Sequence, residues 1–313
     1  FKNKKLKIKK IKKRVARQRA KIKGDLIMAI NIKAFRKFGF KSDPFFGDIE
    51  KMEDVYLNGD MRFTVEFICQ TAKQGGMVAL IGESGSGKTT LRRFAIDKMK
   101  SENAKVKIIQ CKTIDKTRLT VGAICDSIIL DVSSETPKKS LEAKARQVER
   151  ILTNSGRIGF SHLLIIEEAH DLSVTVLKYL KRFWELEDGL KKLLSILLIG
   201  QTELSAKLDE SKNYEAREII RRMEQLRIEP LSDWKDIQNY LAIKFEKAGV
   251  NIKDIIEDDA LQSVSAKLTT QMLRGTLISK AYPLSINNLM RRAINKAYDL
   301  KISKIDKDLI TSL

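Results

Sequence analysis

A glycine-rich loop between an apolar run and an amphipathic segment is the feature that most constrains this chain. Residues 77–81 are continuously apolar and predict a buried strand, while residues 91–99 place apolar side chains at helical spacing. The loop between them fits the pattern G-x-x-x-x-G-K-[ST]. Its residues are Gly82, Glu83, Ser84, Gly85, Ser86, Gly87, Lys88, Thr89 and Thr90. Strand, glycine loop and helix in this order predict a phosphate-binding site at a helix N-terminus; the alternative is a chance glycine turn.

The chemistry of phosphates assigns a role to each part of this loop. The glycines let backbone N–H groups close around the β- and γ-phosphates of a nucleotide. Lys88 is expected to place its ammonium between those phosphates, and the Thr89 hydroxyl is expected to bind Mg²⁺. The loop therefore predicts a nucleoside triphosphate and Mg²⁺ as ligands.

A pair of acids after a second apolar run strengthens this interpretation. The run Leu163–Ile166 predicts a buried parallel strand, and it ends in Glu167 and Glu168. Acids at the carboxyl end of a strand next to a phosphate loop are the Walker B arrangement. We assign Glu167 to the metal, although Asp is usual at that position, and Glu168 to the base that polarises the attacking water. The alternative is a pair of solvated acids opening a helix.

Strand and helix patterns alternate through the first two thirds of the chain and become helical afterwards. Further strands are expected at 106–109 and 194–199, and helices at 60–73, 119–130, 141–153, 174–186 and 214–225. From Trp234 onward, helices are expected at 233–248, 257–267 and 285–300. This order predicts an α/β fold with a parallel sheet flanked by helices, followed by a small all-helical lid. The predicted domains are a basic arm at 1–34, the nucleotide-binding domain at 35–230 and the lid at 231–313.

Composition limits the compartment and the kinds of site. With 43% hydrophobic residues, the chain can build one α/β core and a smaller second domain. Cys69, Cys111 and Cys125 lie in apolar or strand-like segments, which predicts free buried thiols in a reducing cytoplasm. Two histidines without a Cys/His cluster disfavour structural zinc. With no apolar run of about 18 residues and no signal peptide, we expect no membrane partner.

The positive charge is concentrated at the start of the chain. Residues 1–23 hold thirteen Lys/Arg and no acid, out of a net charge of +20. Such an arm binds nucleic-acid phosphates without reading sequence. The expected contacts are Lys9, Lys10, Lys12, Lys13 and Arg14. A solvated, frayed terminus is the alternative, and membrane-surface binding ranks lower because the apolar residues of the arm are sparse.

Several segments together resemble one protein family. They are Phe38-Gly-Phe with Asp43-Pro-Phe, the phosphate loop through Arg92, and residues 165–170, 177–187, 198–204 and 283–289. From about residue 35 onward the chain resembles the AAA+ family of the phage Mu target-DNA-binding protein, in its Mu-like prophage form. The ATPases of bacterial general secretion are related to that family. The combination of these segments is more specific than the Walker motifs alone.

The resemblance implies an ATPase that assembles into helical filaments on duplex DNA without sequence preference. ATP and Mg²⁺ would be its cofactors. The filament would capture target DNA and stimulate a DDE-type transposase, and hydrolysis would release the DNA. The expected location is the bacterial host cytoplasm, at the nucleoid. The alternative is a secretion-type ATPase acting on an envelope complex. Because those relatives typically continue into a transmembrane segment, a chain ending at Leu313 with a basic arm favours DNA. A replication-initiator or clamp-loader type is a third possibility.

The resemblance also implies roles for single residues. Gln201 stands where the sensor residue contacts the γ-phosphate or the attacking water, with a cap of the strand end as the alternative. Arg221 is the first candidate for the arginine finger that reaches a neighbouring subunit, followed by Arg222 and then Arg217. Lys112, Lys116 and Arg118 are expected to line a DNA channel, with an ordinary solvated loop as the alternative. The lid arginine that often contacts the γ-phosphate is either absent or replaced by Arg291 or Arg292.

Overall fold

Five parallel strands form the central sheet of the computed structural model, which describes residues 29–47, 49, 51–111, 119–271 and 277–313. The strands in chain order are β1 (Met77–Ile81), β2 (Val106–Gln110), β3 (Ser161–Ile166), β4 (Glu187–Asp188), β5 (Lys191–Lys192), β6 (Ser195–Gly200), β7 (Met223–Arg227), β8 (Thr269–Gln271) and β9 (Leu277–Ser279). The sheet order is β2-β3-β6-β1-β7, while β4-β5 and β8-β9 are antiparallel hairpins. The carboxyl ends of β1, β3 and β6 therefore lie side by side, where ligands bind in sheets of this kind.

Helices cover both faces of the sheet and continue to the end of the chain. They are α1 (Ile32–Lys37), α2 (Gly59–Gln74), α3 (Lys88–Ser101), α4 (Val121–Val132), α5 (Leu141–Arg157), α6 (Val174–Trp184), α7 (Glu203–Lys207), α8 (Arg217–Ile220), α9 (Trp234–Lys247), α10 (Ile252–Ile255), α11 (Asp258–Lys267), α12 (Pro283–Asp299) and α13 (Lys307–Thr311). Side-chain caps begin several of them; Asn58 accepts from Met61 N at α2, and Ser173 accepts from Val176 N at α6.

Two hydrophobic cores lie on opposite faces of the sheet. Strand β1 alternates between them, with Val78 and Leu80 facing one core and Ala79 and Ile81 facing the other. The first core contains buried residues of α2, α3 and the C-terminal helices, and the second contains those of α4, α5 and α6. A sheet buried on both faces explains the continuous apolar runs in β1, β3 and β6. The expected α/β fold with a parallel sheet flanked by helices is confirmed, and a helical C-terminal region follows it.

The aromatic turn at residues 38–46 packs against the C-terminal region. Phe40 and Phe45 are buried, and their rings lie 5.7 and 5.8 Å from the ring of Phe245 in α9. The turn thus packs on the core, although Phe46 is 82% exposed. Residues before the sheet thereby hold α9, and the C-terminal region shares the first core rather than forming a separate one.

Two secondary-structure predictions were wrong. The expected arginine-rich helix at 214–225 is instead a 3-10 turn at Tyr214–Ala216, the four-residue helix α8 and strand β7. Because β7 is an edge strand paired only with β1, it buries Met223 but leaves its polar residues exposed, so it lacks a continuous apolar run. The hairpin β8-β9 likewise interrupts a stretch expected to be entirely helical.

The three cysteines lie in the cores, as expected. Cys69, Cys111 and Cys125 are buried as thiols rather than joined in disulfides. Burial raises the pKa of the Cys69 thiol, and it raises the pKa of Cys125 to about 11, so both remain protonated at neutral pH. Among the described helices, none combines the length and apolarity needed to cross a bilayer.

Buried His162 predicts that acid destabilises the fold. Its Nδ1–H donates to Leu193 O at 2.8 Å, its Nε2 accepts from Ser155 Oγ at 2.8 Å, and burial lowers its pKa to about 4. The unfolded chain, with a pKa of about 6.5, takes up the proton first as pH falls. Stability is therefore complete above about pH 6.5 and declines by about 3 kcal/mol by pH 4 from this group.

Urea unfolding at several pH values measures this effect. In His162→Asn an amide N–H can donate to Leu193 O but cannot titrate. The variant is expected to be less stable at pH 7 and to lose less stability than wild type between pH 6.5 and 4.5. Equal losses in the two proteins would contradict the prediction.

Candidate nucleotide-binding site

The phosphate loop joins the end of β1 to the start of α3. Gly85 and Gly87 have φ angles of +75° and +99°, the left-handed region that side chains disfavour. Gly82 is required for another reason, since a Cβ there would lie 2.6 Å from Ser86 Oγ. Within the described residues, the Ser86 hydroxyl is buried without a hydrogen-bond partner. The loop is thus a tight turn of backbone at the N-terminus of a 14-residue helix, suited to an anion.

Lys88 provides the positive charge of the loop. Its ammonium donates to Gly82 O and Glu83 O, both at 2.8 Å, which holds Nζ inside the loop. Burial lowers the pKa of Lys88, while the carboxylates of Glu168, Glu83 and Glu203 raise it. The side chain is thereby positioned as a cation for the phosphates of a nucleotide.

A cavity of about 650 Å³ opens beside the loop. Its lining includes residues 84–90, Glu168 and Gln201, together with charged side chains such as Lys51, Asp54 and Lys244. Apolar and aromatic side chains also line it, among them Phe45, Val55, Phe94, Leu231, Tyr240 and Leu284. Phosphate-binding groups and aromatic groups in one cavity suit the two halves of a nucleotide, and the volume falls within the range of small-molecule sites.

The C-terminal region contacts the phosphate loop directly. Leu284, at the start of α12, donates its backbone N–H to Gly85 O at 3.3 Å. A Cβ at Gly85 would lie 2.3 Å from Leu284 Cβ, so only glycine allows this approach. Asn287, one turn later on α12, also lines the cavity and accepts a 2.8 Å hydrogen bond from the Tyr240 hydroxyl. The cavity therefore lies between the α/β part and the helical region.

The two acids after β3 have different surroundings. Glu168 lines the cavity, and its backbone is left-handed with φ +52° and ψ +39°. Such a conformation costs roughly 1–3 kcal/mol in a non-glycine residue and is concentrated at functional sites. Glu167 instead lies 3.0 Å from Arg92 Nε on α3, and the Arg92 side chain is only 13% exposed. Glu168 thus lines the cavity, while Glu167 is paired with a nearly buried cation.

The residues present fit a magnesium ion only in part. Thr89 lines the cavity and could hold Mg²⁺ through its hydroxyl. In nucleotide sites of this class the phosphates and waters supply most other ligands, so a carboxylate cluster is not required. Accordingly, the described ranges contain no group of three or more His, Cys, Asp or Glu residues able to hold a metal. The ion pair with Arg92 competes for Glu167, which weakens the expected metal role of that acid.

Gln201 is a further polar residue of the cavity lining. It follows β6, the strand between β1 and β3, and it lines the cavity with Glu168. Its backbone N–H donates to His170 Nδ1 at 3.3 Å, and the next residue, Thr202, donates its hydroxyl to Glu83 Oε1 at 3.4 Å. The structure therefore brings together the phosphate loop, Glu168 and Gln201, as the sequence predicts.

Comparison with known families agrees with this geometry. Residues 70–208, which span the phosphate loop, the acids after β3 and Gln201, match the family model described as "AAA domain". These residues are similar to an AAA domain, and the name AAA domain is used for them on that ground. A curated relative of the chain is the general secretion pathway protein A of Aeromonas hydrophila, 29% identical over 225 residues. The match covers 72% of this chain but only 37% of that relative.

Solved structures share the fold of the AAA domain and of the helices after it. Cdc6p from Pyrobaculum aerophilum has a TM-score of 0.55 at 15% identity, covering 84% of this chain and 67% of its own. The ORC2 protein of Aeropyrum pernix has a TM-score of 0.56 at 15% identity, covering 87% of this chain and 71% of its own. Drosophila ORC bound to DNA has a TM-score of 0.57 at 14% identity, covering 90% of this chain and 64% of its own. At these identities the likeness concerns the fold alone.

The arginines expected near the subunit boundary of the AAA domain lie outside the cavity and have partners of their own. Arg221 pairs with Glu210, with Nε 2.9 Å from Oε2. Arg222 lies 5.5 Å from the Trp184 ring centroid and 3.3 Å from Glu185. The Arg217 guanidinium stacks on the Tyr214 ring at 4.1 Å. The side chains of Arg221 and Arg222 are 66% and 45% exposed, so both can reach another molecule.

Neither arginine of α12 takes the place of the lid arginine. Arg291 is buried, donates to Phe45 O and lies 5.7 Å from the Phe45 ring centroid. Arg292 donates to Leu313 O at 2.6 Å. Neither guanidinium lines the cavity. Within the described ranges, neither Arg291 nor Arg292 is therefore placed to contact a nucleotide in the cavity.

The residues expected to bind DNA cannot be located. Lys112, Lys116 and Arg118 lie outside the described residues, as do Lys9, Lys10, Lys12, Lys13 and Arg14 of the arm.

Two contacts of the AAA domain were not predicted from the sequence. They are the Arg92–Glu167 pair and the hydrogen bond from Gln201 N–H to His170. Arg92 and His170 stand beside recognised motifs, but no sequence spacing identifies their partners.

Proposed function

We propose that this protein is an ATP-dependent, sequence-nonspecific DNA-binding ATPase of DNA transposition. In its ATP state it assembles on duplex DNA and presents that DNA to a transposase, and hydrolysis releases the DNA. The proposal rests on one combination. The same chain has residues similar to an AAA domain and an arm, residues 1–23, with thirteen Lys/Arg and no acid. Drosophila ORC shares the fold and was solved bound to DNA, which is consistent with the proposal.

The polar residues that line the cavity are suited to ATP hydrolysis. Lys88 and the backbone of the loop would bind the phosphates, and Thr89 would hold Mg²⁺, which supplies charge neutralisation when bound. Glu168 would polarise the attacking water, and Gln201 would orient it. Through the bond from Leu284 to Gly85 O, a shift of the loop would reach the C-terminal helices. Nucleotide state could thereby alter the surface that meets a neighbouring subunit.

If Arg221 contacts the nucleotide bound to a neighbouring subunit, assembly completes the catalytic site of that subunit. Arg221→Ala is expected to lower the DNA-stimulated ATPase rate at least about 100-fold, because arginine fingers contribute large factors in kcat. ATP affinity of isolated subunits should change little, since Arg221 lies outside its own cavity. Steady-state ATPase assays with and without duplex DNA measure this effect. Arg182→Ala is the matched control, an exposed arginine of α6 stacked 5.0 Å from the Tyr179 ring.

A mixing experiment separates action in trans from a structural role. Glu168→Gln subunits retain Arg221 and should restore part of the activity of Arg221→Ala subunits. Absence of rescue, with normal assembly of the mixture, would assign the finger to Arg222 or Arg217.

DNA contacts by the segment 112–118 have a quantitative signature. If Lys112 and Lys116 neutralise phosphates, each alanine variant should weaken binding equally for unrelated duplexes. The slope of log K against log salt should fall by about one unit for each lysine removed. Deleting residues 1–23 should also weaken binding without preventing assembly. Normal binding by both lysine variants, with loss only on deletion of the arm, would place the DNA on the arm.

The proposal as a whole is tested by nucleotide dependence. The protein is mixed with duplex DNA and ATP, ADP or no nucleotide, then examined by negative-stain microscopy and by fluorescence anisotropy of labelled DNA. Filaments and tight binding with ATP, and neither with ADP, are expected. Binding that is identical in all three states would overturn the coupling between nucleotide and DNA.

The relative from Aeromonas supports a second candidate, a secretion-type ATPase acting on an envelope complex. The two functions differ in their response to DNA. Under the second, duplex DNA should neither stimulate ATP hydrolysis nor yield ATP-dependent complexes at low salt. ATP hydrolysis that is active but indifferent to DNA would therefore favour this candidate over transposition.

A further inference from the structure

His170 occupies a position between the two residues proposed to act on the attacking water. It lies in the turn after β3, two residues beyond Glu168, and its side chain is only 15% exposed. Its Nδ1 accepts the backbone N–H of Gln201 at 3.3 Å. The same Nδ1 is 3.6 Å from Glu168 Oε2. One ring atom therefore contacts both the acid after β3 and the residue after β6.

The bond to Gln201 assigns a role to one nitrogen of the ring. A backbone N–H is always a donor, so Nδ1 is the acceptor in this bond. Asp171 Oδ1 lies 3.8 Å from the other ring nitrogen, Nε2. His170 therefore acts as a hydrogen-bond acceptor toward the backbone that directly follows β6.

The backbone around the ring is tightly packed. A Cβ at Gly200 would lie 3.2 Å from His170 N and 2.8 Å from Leu204 Cδ2, so the turn lies directly against the end of β6. Glu168 is left-handed, a conformation that persists only where neighbouring groups enforce it. The ring of His170 is one such group, because it attaches the turn to the backbone of the neighbouring strand.

We propose that His170 is a positioning residue for ATP hydrolysis. By accepting the Gln201 N–H it fixes the end of β6 against the turn that carries Glu168. The separation between the base and the water-orienting amide is set in this way. The inference rests on the proposed roles of Glu168 and Gln201 but not on DNA binding. It requires that loss of the acceptor atom lowers kcat, while ATP binding by the loop and Lys88 is unaffected.

Two substitutions separate the acceptor from the bulk of the ring. His170→Leu keeps a similar volume without an acceptor and should lower kcat about 10- to 100-fold, the cost of small misplacements of reacting groups. His170→Asn places Oδ1 near the position of Nδ1 and should restore most of that loss. KM for ATP and the Kd of a fluorescent ATP analogue should stay within about twofold of wild type in both variants. Basal ATPase is measured without DNA.

His162→Asn is the control for general effects of a lost histidine. It should lower the melting temperature and leave kcat unchanged, because His162 lies among Ser155 and Leu193, away from the cavity. If His170→Leu does not fold, His170→Ala replaces it in the comparison with His170→Asn. Equal activity of the Asn variant and the acceptor-free variant, whether both high or both low, would overturn the positioning role.

Glu168→Gln distinguishes failure of this inference from failure of the proposed mechanism. If wild type hydrolyses ATP and Glu168→Gln does not, the mechanism stands, and wild-type kcat in His170→Leu then refutes only the role of His170. If Glu168→Gln hydrolyses ATP as fast as wild type, the assignment of the base is wrong, and the inference fails with it.

Discussion

Replacing Lys88 with alanine is expected to abolish ATP binding and, with it, ATP-dependent assembly on DNA. The ammonium is the cation held inside the phosphate loop, where it bonds to Gly82 O and Glu83 O. Removing one member of a desolvated charge pair costs about 2–5 kcal/mol, so ATP affinity should fall by at least about 30-fold. Without the cation, Glu83, Glu168 and Glu203 would also repel the phosphates. Titration of a fluorescent ATP analogue measures the loss.

The same helix offers a matched control. Lys100 is exposed near the end of α3, far along the helix from the loop, and Lys100→Ala removes an equal charge. It should bind ATP like wild type. DNA binding is then compared in the two variants with ATP present. If Lys88→Ala binds duplex DNA as tightly as Lys100→Ala, ATP does not control the DNA-binding state and the proposed coupling fails.

Replacing Glu168 with glutamine is expected to stop hydrolysis while ATP binding persists. The amide cannot take up a proton, and losing a positioned general base lowers kcat by about 10²–10⁴-fold. The phosphate loop is unchanged, so the Kd for ATP should stay close to that of wild type. DNA complexes formed with ATP should consequently outlast those of wild type. Single-turnover hydrolysis and DNA dissociation rates measure the two effects.

Glu167→Gln is the informative comparison, since it changes the neighbouring acid in the same way. Its partner in the structure is Arg92 rather than the cavity, so kcat should fall less than in Glu168→Gln. If Glu167 also assists the metal, the variant will need more Mg²⁺ for half-maximal rate. A larger loss of kcat in Glu167→Gln than in Glu168→Gln would reverse the roles assigned to the two acids.

The nucleotide site was predictable because its signals are local. The glycine spacing, Lys88 and the acids after β3 each follow an apolar run that the chain buries, and parallel strands bring these ends together. Strand β7 escaped prediction because an edge strand needs few apolar residues. The pairs Arg92–Glu167 and His170–Gln201 join residues far apart in the chain. Only the order of strands in the sheet makes them neighbours, and no pattern within one segment records that order.

The close approach of Leu284 to Gly85 connects the phosphate loop to α12 as well as to the nucleotide site. Ile286, Leu289 and Met290 of α12 belong to the same core as β1, so α12 cannot move without disturbing the helices around it. Because Gly85 has no side chain and its carbonyl accepts the Leu284 N–H, a shift of the loop is expected to reach α12 directly. Among the described residues, no arginine of α12 lines the cavity, so we expect α12 to respond to the nucleotide through the shape of the loop rather than through a charged contact.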